Sequence, residues 1–125
     1  MADDYAKNGF KVIVPDILNN DPAPFDALDP GSEWDFMAWL GNHGGETVLP
    51  VLDKVIPALK TSGITTLAAL GFCYGARPAF DLAFVGTVSV VVVSHPSLLK
   101  VPDDIEVLTF PCDSLPYFDA RRDGF

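Results

Sequence analysis

Residues 66–94 constrain this chain more than any other stretch. Thr66-Leu67-Ala68-Ala69-Leu70 is an apolar run that leads into Gly71-Phe72-Cys73-Tyr74-Gly75, a turn bracketed by glycines. An apolar helix is expected next, running to about Phe84 and closed by Gly86. The Val-rich run Val88-Ser89-Val90-Val91-Val92-Val93-Ser94 then reads as a second strand. Strand, helix and strand of these lengths favour a crossover connection between parallel neighbours. The fold class is therefore α/β, a parallel sheet with flanking helices.

The remaining segments fit around that unit. Residues 3–8 read as the end of a helix stopped by Gly9, and residues 11–15 (Lys-Val-Ile-Val-Pro) as a short strand buried on both faces. Residues 16–30 hold three prolines, four aspartates and two asparagines, which predict a long surface loop. That acidic loop lacks the register of a calcium-binding loop. Ser32 is placed to cap a helix reaching Gly41, with Trp34 and Trp39 as core or pocket-lining residues. Residues 46–60 carry Val48, Val51, Leu52, Val55, Ile56 and Leu59 at helical spacing, with Pro57 expected to kink the helix. The pattern decays after Lys100. Residues 1–110 are expected to form one partial domain and residues 111–125 a divergent, irregular tail.

Charge and composition exclude several classes. Seventeen acidic residues against 8 basic ones leave a formal charge of −9 over 125 residues, and Arg121-Arg122 is the single adjacent basic pair. Nucleic-acid binding needs clustered cations to neutralise phosphates, so it is not expected. No apolar run approaches the roughly 20 residues that span a bilayer, and Met1-Ala2-Asp3-Asp4 is unlike a signal peptide. A cytoplasmic protein is the expectation. The 2 cysteines, Cys73 and Cys112, form no CxxC pair, and only 2 histidines are present, His43 and His95. Neither a metal nor a cofactor is expected.

Gly71-Phe72-Cys73-Tyr74-Gly75 has the form of a nucleophile elbow, in which a strained strand-to-helix turn lifts Cys73 above the sheet. In so tight a turn, a side chain at either glycine is expected to strike the neighbouring strand or helix. At a helix N-terminus, unpaired N–H groups favour thiolate over thiol. The Tyr74 N–H would serve as one oxyanion donor. The plainer alternative is a buried cysteine in an ordinary turn.

That motif, extended through Ala76-Arg77, resembles the dienelactone hydrolase family, closest to its fungal members. So do Asn8-Gly9-Phe10 leading into Val14-Pro15-Asp16, Asp21-Pro22-Ala23-Pro24, Trp39-Leu40-Gly41-Asn42-His43 and Val93-Ser94-His95-Pro96-Ser97. The resemblance implies an α/β-hydrolase fold with a Cys-His-Asp triad, Cys73 as nucleophile, and a small-molecule ester or lactone as substrate. It also implies a chain truncated at both ends, a partial fold lacking N-terminal and C-terminal strands. A strand before Met1 would lie between residues 11–15 and 66–71, so those two would pair directly or face each other across a gap. The triad Asp and His would lie beyond the matched segments. Asp113 and Asp119 fall near the place of the Asp, in a divergent context, and neither is assigned the role.

Other residues keep open alternatives. His95 is either a pocket or structural residue or a makeshift base for Cys73, which needs about 2.6–3.2 Å of reach. His43 is expected as a cap or solvent residue. Arg77 either binds a substrate carboxylate or pairs with Asp81 at i+4, the second being the simpler reading. Nothing marks Cys112 as reactive. Impaired catalysis is the expectation; the alternatives are a non-catalytic truncated or mis-spliced paralogue and, more weakly, a class I amidotransferase-like domain, which shares the G-x-C-x-G turn.

Overall fold

A computed structural model describes residues 1–27 and 29–106. They fall into two compact units, Met1–Thr65 and a second beginning at Thr66. The expected tail, with Cys112, Asp113 and Asp119, lies outside the described residues.

The first unit is helical. Helix α1 (Ala2–Lys7) places Asp3 and Asp4 in its first turn and Lys7 in its last, matching the helix dipole at both ends. Gly9 follows at φ +91°, a left-handed conformation that glycine adopts without a Cβ penalty. Residues 11–15 form no strand, contrary to their β-branched composition. Ile13 is 45% exposed and Val14 76% exposed. Composition sets only a willingness to be pleated, whereas a strand needs a neighbour to bond, and here the described residues supply none.

The loop that follows is organised by Asp16, whose carboxylate accepts the N–H groups of Leu18 (3.1 Å) and Asn20 (2.9 Å). Helix α2 (Phe36–Gly41) begins later than its aromatic pattern suggests. Its cap is Asp35, which accepts the Ala38 N–H at 2.9 Å. Ser32, the expected cap, instead accepts the Trp34 N–H at 3.3 Å, closing a turn upstream of the helix. Trp34 and Trp39 are half-buried, their ring centroids 5.7 Å apart.

His43 corrects the expectation of a solvent residue: it is only 5% exposed. It does act as a cap. Its Nδ1–H donates to the Trp39 carbonyl (2.7 Å), and its ring stacks on Trp39 at 4.1 Å. Its Nε2 lies 3.6 Å from the Asp21 carboxylate. Helix α3 (Gly45–Thr61) buries Val48 and Leu52 and runs on through Pro50 and Pro57. It ends where the Ser62 hydroxyl donates to the Leu59 carbonyl and Gly63 turns left-handed.

The second unit holds the predicted strand–helix–strand. Strand β1 (Ala68–Phe72) pairs in parallel with β2 (Val90–Ser94), in the register Ala68↔Val90 to Phe72↔Ser94. Between them come a 3-10 turn (Cys73–Gly75) and helix α4 (Ala76–Phe84), which packs on both strands. Ala76, Pro78, Ala79 and Phe80 are buried on that helix. Gly71 points towards the start of α4, and its face of the sheet is covered. The opposite face leaves Leu70, Phe72, Val90 and Val92 exposed. A four-residue helix, α5 (Asp103–Glu106), ends the described chain. This is α/β architecture, in keeping with a partial α/β-hydrolase fold.

Candidate active site

The second unit's chemistry gathers where the two strands end. Because Phe72 is in register with Ser94, the segments leaving β1 and β2 emerge side by side. Cys73 is the first residue after β1 and sits at φ +49°. A non-glycine residue there costs roughly 1–2 kcal/mol and persists only where its surroundings hold it. Gly71 explains how the turn closes: a Cβ on it would lie 2.5 Å from the Gly75 carbonyl oxygen and 2.7 Å from the Ala76 Cα. Both obstacles are backbone, so neither can rotate away.

The second glycine differs from expectation. A Cβ on Gly75 meets nothing within 4 Å, and its φ of −67° is open to any residue. The steric requirement falls on Gly71 alone, because only Gly71 points into the crossing of turn and helix.

Cys73 is exposed and carries a free thiol. Its Sγ lies 3.8 Å from the Ser97 hydroxyl, and its carbonyl accepts the Ser97 N–H at 3.2 Å. Tyr74, half-buried, follows as the central residue of the 3-10 turn. His95 lies just beyond β2 at φ +38°, exposed, with its ring centroid 6.3 Å from that of Phe72. Among the described residues, the hydrogen-bonding neighbour of Sγ is thus a hydroxyl and not the His95 imidazole.

Arg77 is engaged by two carboxylates. Its Nε donates to Asp81 at 2.9 Å, with Nη2 on the same oxygen, and its Nη1 donates to Asp104 at 2.7 Å. The guanidinium also lies over the Phe84 ring, 5.2 Å from its centroid. The Asp81 hydrogen bond is the largest influence raising its pKa above the ordinary arginine value. Partial burial opposes it, and the charges of Asp81 and Asp104 add to the rise. A group with a raised folded pKa stabilises fully below its unfolded value, so this clamp keeps its cation at every pH where the chain is handled. The pairing with Asp81 was legible as an i+4 spacing. Asp104 was not, because 27 residues separate it from Arg77. Ser97 was likewise missed as a neighbour of Cys73, although the equal strand ends of a parallel pair would have suggested it.

Among the described residues, no group of three or more His, Cys, Asp or Glu side chains could hold a metal ion. No described helix is long and apolar enough to cross a membrane.

Comparison with known proteins fits this arrangement. Residues 1–109 match the family model described as the dienelactone hydrolase family. The hydrolase pyvD of Aspergillus violaceofuscus is 27% identical, over 89% of this chain and 44% of its own length. The hydrolase tropI of Talaromyces stipitatus is 28% identical, over 78% of this chain and 41% of its own. An uncharacterized AIM2 family protein of Schizosaccharomyces pombe is 33% identical, over 91% and 47% respectively. The chain therefore spans less than half the length of these relatives. No solved structure gives a significant match.

Proposed function

Because the chain belongs to the dienelactone hydrolase family, we propose that it is the nucleophile-bearing part of a hydrolase of small esters or lactones, with Cys73 as the nucleophile. The observation that carries this reading is the conformation of Cys73: left-handed, exposed, and set between a strand end and a helix start. That is the geometry in which an elbow presents its nucleophile. The family match also favours this reading over an amidotransferase-like one.

The thiolate would attack the carbonyl carbon, forming a C–S bond as the C=O electron pair moves onto oxygen. The Tyr74 N–H, next along the chain, is assigned to that developing oxyanion. Collapse expels the alcohol oxygen, which takes a proton, and leaves an acyl-thioester on Cys73. Water must then release the acid and regenerate the thiol. Deacylation needs a base to activate that water, and among the described residues the hydrogen-bonding partner of Sγ is a hydroxyl. Acylation is therefore expected to outrun deacylation in this chain, and turnover to be slow.

The test is p-nitrophenyl acetate, followed by nitrophenol release and by peptide mass mapping. An acetyl group on Cys73 that forms within one turnover, and is missing in Cys73→Ala, is the expected result. Equal nitrophenol release by both proteins, with no adduct on the Cys73 peptide, would end the reading. It would leave the non-catalytic alternative.

A further inference from the structure

We propose that Ser97 is a positioning residue for the Cys73 thiol, held in place by a clamp that closes on Arg77. The inference rests on the reading of Cys73 as nucleophile and goes beyond it, since it names what holds that sulfur among the described residues.

Ser97 holds Cys73 twice, once through each residue's backbone and once through each side chain. Its N–H donates to the Cys73 carbonyl at 3.2 Å and its Oγ lies 3.8 Å from Sγ. The backbone bond acts on a residue whose φ of +49° needs outside support. The side-chain contact has one possible direction in the reactive form. A thiolate has no proton to give, so the hydroxyl must donate to sulfur. Ser97 keeps its own proton throughout and is neither acid nor base in the reaction.

A hydroxyl on a loop aims a nucleophile only if the loop is itself held. Downstream, the Lys100 N–H donates to the Asp104 carboxylate (2.7 Å), which accepts Arg77 Nη1 on the same oxygen (2.7 Å). Arg77 is the second residue of α4, and α4 continues directly from the turn that bears Cys73. The contacts thus form a closed circuit: Cys73 to Ser97, along the chain to Lys100, across to Asp104, to Arg77, and back through the turn to Cys73. Each Arg77 nitrogen already donates to a carboxylate, Nη1 to Asp104 and the other two to Asp81, which favours a bracing role over substrate binding.

The experiment uses the full chain carrying Cys112→Ser, so that Cys73 is the single thiol. It measures the rate of reaction with the aromatic disulfide dithiobis-nitrobenzoate at neutral pH. The hydroxyl's hydrogen bond orients the sulfur for attack, and the same bond offsets part of that gain by tempering the nucleophilicity of the sulfur. Ser97→Ala is therefore expected to slow the reaction about threefold. Ser97→Thr, which keeps the hydroxyl, should stay close to the parent. Arg77→Gln, which leaves Ser97 intact but frees the far end of the loop, should slow it in the same direction as Ser97→Ala.

Alanine and threonine variants that both match the parent would overturn the proposal. So would a threonine variant as slow as alanine, because loop packing and not the hydroxyl would then be at work. An unchanged Arg77→Gln would remove the clamp. Because the probe reads sulfur directly, these outcomes are separate from the acetyl-adduct test, which judges whether Cys73 attacks esters at all.

Discussion

Gly71→Ala should destabilise the second unit by about 3 kcal/mol or more, read as a lower urea midpoint at an unchanged slope. The added methyl would sit 2.5 Å from the Gly75 oxygen, 2.7 Å from the Ala76 Cα and 2.8 Å from the Gly75 carbonyl carbon. Overpacking against a side chain is relieved by a change of rotamer. Overpacking against the backbone of the next turn requires the turn to open or α4 to move off the sheet, losing the burial of Ala76 and its neighbours. Gly75→Ala is the matched control: open space surrounds its Cβ, and its φ is ordinary. It should be neutral, or stabilise by up to about 1 kcal/mol by reducing the freedom of the unfolded chain. Equal losses at the two glycines would mean that close approach of backbone is not what the motif protects.

The second large effect belongs to Phe80. It is only 5% exposed, on the face of α4 that also buries Ala76 and Ala79, and it meets Phe84 edge-on with centroids 5.9 Å apart. Phe80→Ala removes the transfer energy of the ring and leaves a cavity that a short helix on two strands fills poorly. About 3–4 kcal/mol is expected to be lost. Small domains hold only about 5–15 kcal/mol in total, so thermal unfolding should begin well below the parent's midpoint. Val85→Ala tests the contrast. Val85 is 74% exposed just beyond the same helix, and its truncation should change stability by no more than about 0.5 kcal/mol. A Phe80 variant as stable as the Val85 variant would show that α4 is not held by its apolar face.

What the sequence makes legible follows the range of the interaction. Helix α4 and the paired strands emerge from local pattern: valines, a glycine-bracketed turn and Gly86 all act within a few positions. The i+4 pair of Arg77 and Asp81 is legible for the same reason. Residues 11–15 are misread because their valines and isoleucine report propensity, while pairing depends on a neighbour that no local pattern specifies. The caps divide in the same way. Ser32 and Asp35 are both good cap residues, and the choice between them follows from where Phe36 starts the helix. His43 combines a local bond to Trp39 with a carboxylate contributed from Asp21, and only the first could be anticipated. The candidate site shows the same boundary. Cys73 stands out by its motif, whereas Ser97 becomes its neighbour through strand register, across 24 residues.

That register also shapes how the chain behaves among its own copies. Pairing Leu70 with Val92 and Ala68 with Val90 aligns apolar side chains into one continuous ridge on the uncovered face. The formal charge of −9 is spread over the same small polymer. Cohesion on one face is thus opposed by repulsion between whole molecules, and the two differ in their response to ions. Dissolved salt shortens the reach of the repulsion to about 8 Å at physiological strength and leaves the apolar attraction in place. Added salt is therefore expected to shift that balance towards self-association, read as a growing particle size in light scattering.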